Sequence, residues 1–478
     1  MTRSNQFMQF GALQLPPSAA TSHVLFSGTT GSGKTTLLRL LQESQFTEIR
    51  PGNDWRAIVN DPKQDVLPFL QSIAPEATIV ITHPFDQRCS AWDMSADIDS
   101  PQLAVEFCYT LIPPTSEPQQ FFNDASRHCI YGVIISFQLS GISWTFADLI
   151  RVLSSPRILR HVLKRHWETA PISSYYLSEK RLRANVLATI ASKLLPFGPI
   201  AACWDRATSK FSLSQWAVSP MILVLGSSDI SRTPVQTLNR CIFKRAADIT
   251  LEQPDSETRR TWFGIDELSD AGKLDGIVAL AKKGRSKGAC LSVAFQSIAG
   301  LRDPSLYGPH LTEEFLAQFG HKFVGRMECA SSAEWASALV GDQEVNQKSY
   351  SYTTGQHPTS TTTIQKVTRR GVLPSQILDF PPCNLENGLT GLFFAPSVGV
   401  FVDSIDGHEL FVDGAPVPAS IPAFLPCPKG HQFLQPWTPE QADALQIPTE
   451  LLATPGKPSA NSRAKTTAKP LSFDDLFA

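Results

Sequence analysis

A glycine-rich segment that joins an apolar strand to a helix constrains this chain more than any other feature. An apolar run at 23–27 precedes it, and a stretch with helical apolar periodicity at 36–41 follows it. The glycines let backbone N–H groups point inward at phosphate oxygens, the lysine reaches the β- and γ-phosphates, and the threonine hydroxyl after it ligates magnesium. The sequence therefore predicts a site for ATP or GTP with Mg²⁺, made by Gly28, Thr29, Thr30, Gly31, Ser32, Gly33, Lys34, Thr35 and Thr36.

A pair of acids follows a second apolar run, at 262–265. Magnesium-dependent hydrolysis needs such a pair, with Asp266 in the magnesium shell and Glu267 orienting or deprotonating the attacking water. The alternative is that the two acids only cap the helix that follows them. The complete phosphate-binding segment upstream favours the catalytic interpretation, in which Thr35 and Asp266 bind the metal.

Two more polar residues flank the next apolar run, at 291–295. Arg285 lies on a loop after a helix predicted to end at Gly284, and a loop arginine there can reach the γ-phosphate held by a neighbouring subunit. A solvated basic loop is the alternative. Gln296 directly follows the run and can sense the γ-phosphate through a hydrogen bond. The alternative is that it is only a polar residue at the edge of the sheet.

Short apolar runs bounded by turn residues recur along the chain and alternate with helical periodicities. This pattern is typical of a mostly parallel sheet covered by helices, so the predicted fold class is α/β. The predicted strands lie at 23–27, 57–60, 78–82, 221–225, 262–265, 291–295 and 322–325.

The stretch 96–205 differs, because it offers helix after helix and no convincing strand. One helix begins near Pro118, Thr145 and Asp148 open another as a capping box, and Pro156 interrupts that helix. We interpret the stretch as an all-α insert that interrupts the sheet domain. The alternative is that these are only the covering helices of the sheet.

The chain is accordingly divided into four parts: a first segment of the nucleotide-binding domain (1–95), an all-α domain (96–205), a second segment of the nucleotide-binding domain (206–425) and a C-terminal extension (426–478). The polar, low-complexity stretch 349–363 is predicted to be a mobile loop. The stretch 454–470, rich in Pro, Ser, Ala and Lys, is predicted to be a flexible linker.

Composition excludes several classes of protein. Hydrophobic residues make up 42% and charged residues 18%, which is typical of globular rather than disordered or fibrous chains. The net charge of −2 means that nucleic-acid contacts must come from local patches or loops. The nine cysteines include no CxxC pair, which argues against a disulfide framework or a zinc site. No apolar run approaches the roughly 18 residues that span a bilayer. We therefore expect a cytoplasmic protein without a membrane span, held at the inner membrane only through a partner.

The motifs, in this order and spacing, resemble those of the coupling ATPases of bacterial conjugation and type IV secretion, the TraG/TraD-like family. The resemblance covers residues 21–413. Besides the phosphate-binding segment, it rests on Asp61-Pro62-Lys63, on His83-Pro84-Phe85-Asp86 with Trp92, on the segments WFGIDE, GRSKG and AFQS, on Tyr307-Gly308 and on the segment 333–341.

This resemblance implies a RecA-like nucleotide domain and an all-α domain, assembled as a ring hexamer that handles DNA in its central channel. It also implies a role for each motif residue. These are Lys34 and Thr35 for nucleotide and magnesium, Asp266 and Glu267 for hydrolysis, Arg285 as a finger acting on the neighbouring subunit's nucleotide, and Gln296 as the sensor.

The chain departs from the family pattern in two places. Two transmembrane helices usually precede the phosphate-binding segment, but only 27 residues do so here. Ser22 stands where some members carry an arginine, so a second cationic contact from that place has no support.

A DNA-translocating ATPase that serves conjugative transfer is the function these features favour. One alternative is a cytosolic DNA motor of the same superfamily, for segregation or packaging, which the missing anchor favours. Another is a nucleotide-switched adaptor that recruits a nucleoprotein and does no work on it. Glu267 and Arg285 disfavour the adaptor, because a switch needs binding more than turnover.

DNA binding is predicted to tolerate sequence and to be sensitive to salt, because the candidates are basic loops rather than a groove-reading motif. The last residues, 471–478, combine apolar and acidic side chains and are predicted to dock on a membrane-anchored or relaxosome partner. The alternative is that this tail folds back onto its own domain. The candidate DNA contacts are Lys282, Lys283 and Lys287 in one cluster and Arg157, Arg160, Lys164 and Arg165 in another.

Overall fold

Strands are the framework of the computed structural model, which describes residues 7–114, 120–354, 359–413 and 418–452. In chain order they are β1 (Met8–Phe10), β2 (Leu13–Leu15), β3 (Val24–Ser27), β4 (Trp55–Asp61), β5 (Thr78–Ile81), β6 (Ser90–Trp92), β7 (Ser209–Phe211), β8 (Met221–Gly226), β9 (Arg260–Ile265), β10 (Ala289–Phe295), β11 (His321–Val324), β12 (Asp342–Thr353), β13 (Thr359–Arg370), β14 (Leu389–Ala395) and β15 (Gly399–Ile405).

Nine of these strands form the central sheet, in the order β15-β14-β11-β3-β10-β9-β4-β8-β5. The seven from β11 to β5 are parallel and are the seven strands predicted from the apolar runs. β14 and β15 extend the β11 edge as antiparallel strands, and neither was predicted. The predicted α/β class with a mostly parallel sheet is confirmed.

Helices cover both faces of this sheet. They are α1 (Lys34–Phe46), α2 (Leu67–Ile73), α3 (Met94–Asp97), α4 (Pro101–Leu111), α5 (Gln120–Leu139), α6 (Phe146–Ser154), α7 (Pro156–Leu163), α8 (Ala170–Leu177), α9 (Lys180–Leu194), α10 (Gly198–Asp205), α11 (Leu213–Trp216), α12 (Arg232–Glu252), α13 (Leu268–Ala271), α14 (Ile277–Lys283), α15 (Ile298–Leu301), α16 (Gly308–Leu316), α17 (Ala330–Val340), α18 (Pro374–Leu378) and α19 (Pro439–Ala444).

The two faces of the sheet belong to two apolar cores, because side chains alternate along each strand. On β3, Val24 and Phe26 face the core that α1 and α2 cover. Leu25 faces the other core, which continues without a break into the helices that follow β6. The central strands β3, β8, β9 and β10 are buried along their whole length, which explains why they read as continuous apolar runs.

Only helices lie between β6 and β7 in the described part of this stretch, and β6 pairs with β7 in parallel at its base. Thr145 and Asp148 form the predicted capping box at the start of α6. α6 ends before Ser155, and Pro156 begins α7, as predicted. The helix expected near Pro118 begins at Gln120, and Pro118 itself lies outside the described residues. The domain boundaries drawn from the sequence stay a prediction.

One stretch of the helical region, Lys180–Asp205, is long and apolar enough to cross a membrane, with a mean hydropathy of 1.6. Length and composition alone are weak grounds for a span, because a core helix passes the same test. In this fold the stretch is divided into α9, a 3-10 turn at Leu195–Phe197 and α10. Val186, Ile190 and Ile200 are buried in the core that the helices share with the sheet.

The prediction of a mobile loop at 349–363 is wrong for its described residues, which belong to the long antiparallel ribbon of β12 and β13. The sequence there is polar and rich in Ser and Thr, and only residues 349–352 alternate polar with aromatic side chains. A buried face would give apolar alternation along the whole strand, and this ribbon is exposed on both faces.

The segment 418–452 returns along the molecule and is held mainly by its backbone. Arg88 Nη1 donates to the carbonyl of Pro422 at 2.8 Å, and Asp86 accepts from the Leu425 N–H. Further on, Arg151 Nε donates to the carbonyl of Gln435 at 2.8 Å. The C-terminal extension predicted at 426–478 is therefore packed on the helical stretch as far as it is described. The predicted linker and the docking tail lie outside the described residues.

Trp437 is the main side-chain anchor of this returning segment. Its ring is 8% exposed, and its Nε1–H donates to Asp148 Oδ1 at 2.6 Å, where that carboxylate also receives Arg151. The contact joins α6 to a segment almost three hundred residues away, so no local sequence pattern predicts it.

We predict that Trp437→Ala lowers the free energy of unfolding by about 3 kcal/mol, the usual scale for truncating a buried tryptophan. Urea unfolding followed by far-UV circular dichroism measures the loss. The matched control is Trp167→Ala, because Trp167 is 82% exposed and should change stability by less than about 0.5 kcal/mol. Equal effects of the two substitutions would mean that the returning segment does not stabilise the fold.

Candidate nucleotide site

The site forms where three neighbouring parallel strands end. β10 pairs with β3 up to Phe295 opposite Ser27, and with β9 up to Val293 opposite Ile265. The residues that follow these strands are Gly28, Asp266 and Gln296, so the pairing places all three motifs at one sheet edge. This is the edge at which α/β sheets bind ligands.

The phosphate-binding segment follows β3 and leads directly into α1. Gly31 and Gly33 have φ values of 76° and 92°, which other residues adopt only with strain. A Cβ atom on Gly33 would lie 2.4 Å from Leu389 Cδ1, so the close approach of β14 also requires glycine there. The loop is tied from outside by two backbone hydrogen bonds: Thr29 N–H donates to the Arg326 carbonyl at 2.7 Å, and Cys383 N–H donates to the Gly31 carbonyl at 2.8 Å.

Lys34 lies folded against this loop. Its Nζ donates to the carbonyls of Gly28 and Thr29 at 2.7 and 2.9 Å, and burial lowers the pKa of its ammonium. The neighbouring Ser32 Oγ is buried and has no hydrogen-bond partner within the described part of the chain. Buried polar atoms normally have partners, so the loop is shaped for a ligand that accepts hydrogen bonds.

Thr35 and Asp266 meet beside the loop. Thr35 Oγ1 donates to Asp266 Oδ1 at 2.8 Å. A hydroxyl and a carboxylate in contact next to a phosphate loop fit the oxygen ligands that Mg²⁺ takes when it also binds substrate phosphates. The two residues predicted as metal ligands are therefore placed together.

Lys63 also lies in the site, although no role was predicted for it. Its Nζ lies 3.3 Å from Asp266 Oδ2 and 3.4 Å from Thr35 Oγ1. The ammonium thus stands against the two oxygens that would ligate the metal. The Asp61-Pro62-Lys63 segment at the end of β4 was the available signal, since β4 is the strand next to β9.

Glu267, Gln296 and Thr30 form the far side of the site. Glu267 is 8% exposed, and burial raises the pKa of its carboxyl group. Gln296 hydrogen-bonds to this carboxylate, and its Oε1 accepts from Thr30 Oγ1 at 3.2 Å. Glu267 also accepts from Ser269 N–H at 3.4 Å at the start of α13, so the capping alternative describes a real contact as well. Capping does not explain the bonds to the glutamine and the loop.

Arg285 does not lie in this cluster. It precedes β10, whereas Gln296 follows it, and the seven-residue strand between them spans roughly 23 Å at about 3.3 Å per residue. Arg285 is exposed, and its guanidinium has no hydrogen bond or ion pair inside the described ranges. It borders an open depression of about 870 Å³ together with Lys283 and Arg260. It therefore cannot reach the phosphate loop of its own chain.

The basic clusters predicted to contact DNA are partly neutralised within the chain. Lys282 forms an ion pair with Glu314, and Lys287 forms one with Asp255 at 2.7 Å. In the second cluster, Arg165 donates to the carbonyls of residues 445 and 446. The cations that stay exposed and without such partners in the described structure are Lys283, Arg157, Arg160 and Lys164.

Known proteins share this sequence pattern. The family model of the type IV secretion-system coupling protein DNA-binding domain matches residues 7–389. The coupling protein TraD of Escherichia coli (strain K12) is 21% identical over 360 residues, which are 73% of this chain and 48% of TraD. The chain thus spans about half the length of that relative.

Solved structures share the fold. The unbound bacterial conjugative coupling protein TrwBdeltaN70 superposes with a TM-score of 0.69 at 20% identity, covering 90% of this chain and 93% of that one. TrwB in complex with ADP and Mg²⁺ gives 0.67 at 19% identity, over 89% and 93% of the two chains. The RecA-like fold class predicted from the sequence is confirmed. Together with the match over most of its length, this fold places the chain in the family of type IV secretion-system coupling proteins.

Proposed function

We propose that the chain hydrolyses ATP and uses the energy to move DNA, as the coupling motor of a conjugative or type IV secretion system. The observation that carries this proposal is the meeting of Thr35, Asp266, Glu267 and Gln296 around one phosphate loop. Membership of the coupling-protein family supports DNA as the substrate to be moved. Structures of the relative TrwB with ADP and Mg²⁺ and with a non-hydrolysable ATP analogue support ATP as the nucleotide.

Binding starts with the loop and Lys34. Backbone N–H groups of Gly31 to Thr36 donate hydrogen bonds to the phosphate oxygens at the start of α1, where the helix dipole also favours negative charge. Lys34 exchanges the carbonyls of Gly28 and Thr29 for the β- and γ-phosphates. Burial has already removed water from the ammonium of Lys34. An anionic phosphate would therefore give this cation an oppositely charged partner in direct contact.

Thr35 and Asp266 would hold Mg²⁺, which supplies neutralising charge for the phosphates when bound. Lys63 contacts both of these oxygens, so its ammonium lies beside the place where the metal would be held and would add positive charge near the phosphates.

Glu267 is positioned as the group that orients or deprotonates the attacking water. Its raised pKa follows from burial and brings the carboxylate closer to the basicity useful for proton transfer near neutral pH. Gln296 links Glu267 to Thr30 of the loop. A change in the γ-phosphate can therefore pass through Gln296 into β10, which is the role of a sensor.

Arg285 completes the site only in an assembly. It lies at the opposite end of β10 from its own loop and on an open depression, so the nucleotide it can reach is the one held by a neighbour. We propose that the subunits form a closed ring, which the family resemblance implies is a hexamer. This ring lies in the cytoplasm and contacts the inner membrane through a partner. The ring brings the Arg285 edge of one subunit to the loop edge of the next.

Turnover should depend on Lys34 and Glu267 in different ways. Lys34→Ala should abolish nucleotide binding or turnover, because it removes the mobile cation of the loop. Glu267→Gln should bind ATP with near-parental affinity and lose most hydrolysis. Phosphate release and binding of a fluorescent ATP analogue measure the two properties. Glu76→Gln, an exposed acid remote from the loop, is the matched control. Parental hydrolysis by Glu267→Gln would remove the water-positioning role.

The neighbour's use of Arg285 has its own test. Arg285→Ala should bind ATP normally and lose about 10³-fold in turnover, the scale of arginine fingers. Lys283→Ala, at the next exposed cation of the same depression, should stay near the parental rate. Subunits with Arg285→Ala mixed with Lys34→Ala subunits should regain activity at mixed interfaces. Failure to recover in verified mixed assemblies would assign Arg285 another role.

A DNA motor should hydrolyse ATP faster when DNA is present. We expect DNA of unrelated sequences to stimulate the ATPase rate. This stimulation should weaken as the salt concentration rises, because the exposed cations would contact DNA phosphates. The ATPase rate with and without DNA measures it, with Lys34→Ala as the background control. A rate that DNA leaves unchanged would instead favour a nucleotide-switched adaptor.

A further inference from the structure

The ribbon of β12 and β13 has no role in the nucleotide site. Twelve residue pairs connect its strands, from Asp342 opposite Arg370 to Thr353 opposite Thr359. It is fixed at its base, where Gly371 N–H donates to the Gly341 carbonyl at 2.9 Å and Arg370 contacts Glu334 of α17. From there the strands extend away as a two-stranded arm.

Both faces of the arm are in solvent beyond its base. Among its described side chains, only the cross-strand pair Val345 and Val367 is half-buried, and the rest are exposed. An isolated two-stranded ribbon is marginally stable in water. The arm therefore has surface to offer to a molecule other than this chain.

One face of the arm is aromatic. Tyr350 and Tyr352 are two residues apart and project from the same side, as does Lys348. Ile364, directly opposite Lys348, shares this face. The exposed fractions are 59% for Tyr350, 74% for Tyr352 and 60% for Ile364, all high for residues of this size.

Beyond its base, the arm carries charge of only one sign. No Asp or Glu occurs between Val345 and Val367, while Lys348 and Lys366 lie within this stretch. Lys366 has an exposed partner at the base, Glu344, at 3.5 Å, and Lys348 has no ion pair in the described structure. On the tyrosine face, Thr362 opposite Tyr350 and Ser360 opposite Tyr352 have hydroxyls that can donate to phosphate oxygens.

Open aromatic rings, cations and hydroxyls without acids match a single-stranded nucleic acid. Its bases stack on aromatic side chains, and its phosphates are met by cations and hydroxyls. A duplex keeps its base faces covered and offers nothing for the tyrosines to stack on. A protein partner matches less well, because charged residues are depleted at the core of protein interfaces and Lys348 lies on this face beside the tyrosines.

We propose that the Tyr350–Tyr352 face of the arm binds single-stranded DNA, with bases stacked on the two tyrosines and Lys348 beside the backbone. This inference rests on the proposed function, in which DNA is the transported molecule. It adds a contact independent of the nucleotide site and of the basic clusters that ion pairs partly neutralise. It also gives the motor a preference for an unpaired strand.

The test is binding of the full chain to a fluorescein-labelled oligothymidylate, by anisotropy, with Mg²⁺ and a non-hydrolysable ATP analogue. Tyr350→Ala and Tyr352→Ala should each weaken binding at least about fivefold, the lower end for loss of one stacked base. Tyr350→Phe and Tyr352→Phe should stay within about twofold, because the ring remains. The matched controls are Ser349→Ala and Ser351→Ala, on the opposite face of the same strand, which should bind as the parent does.

Two measurements separate the other outcomes. Affinity for a duplex of the same length should change less than affinity for the oligothymidylate in the tyrosine variants. Sedimentation of the same variants should show the parental assembly. A parent that binds the oligothymidylate while both alanine variants bind it equally well overturns the arm contact alone. Altered assembly with unchanged DNA affinity overturns it in favour of a contact with a neighbouring subunit. A parent that binds no DNA in any nucleotide state overturns the proposed function as well.

Discussion

The parallel pairing of β3, β10 and β9 is the interaction on which the rest of this structure depends. It brings the ends of three strands that are distant in sequence to one edge. The phosphate loop, the two acids and Gln296 come together because of this register and not because of their spacing along the chain. A slip of one residue would turn every side chain of a strand to the opposite core. Burial on both faces therefore holds the register and, with it, the geometry of the site.

The loop is also held by residues from late in the chain. The Arg326 carbonyl and the Cys383 N–H bond to its backbone, and Leu389 of β14 packs against Gly33. The shape of the loop thus depends on contacts with the antiparallel edge of the sheet. The β12–β13 arm is attached to the same edge, because it lies between α17 and α18 in the connection from β11 to β14.

The seven parallel strands of the sheet were predicted from sequence, whereas the buried antiparallel strand β14 and the exposed parts of the fold were not. Strands buried on both faces read as apolar runs, and the glycine-rich loop and acid pair have few alternative explanations. The β12–β13 arm has no buried face, so apolar residues do not alternate with polar ones along the length of its strands. The segment 418–452 is held by carbonyls, for which the side-chain sequence gives no signal. Lys63 was missed as a site residue because its contact with Asp266 depends on the β4–β9 pairing.

The position of Arg285 has a consequence for how such a machine can work. A single chain brings the two acids, the loop and Gln296 together. Arg285, the further cation expected at the γ-phosphate, lies at the other end of β10. If hydrolysis needs that cation, it waits for a neighbour, and the rate becomes a property of the interface between subunits. Gln296 directly follows the last residue of β10, and Arg285 lies just before the first residue of the same strand. Movement of this one strand relative to its neighbours would therefore connect the nucleotide that a subunit holds with the nucleotide that it helps to hydrolyse.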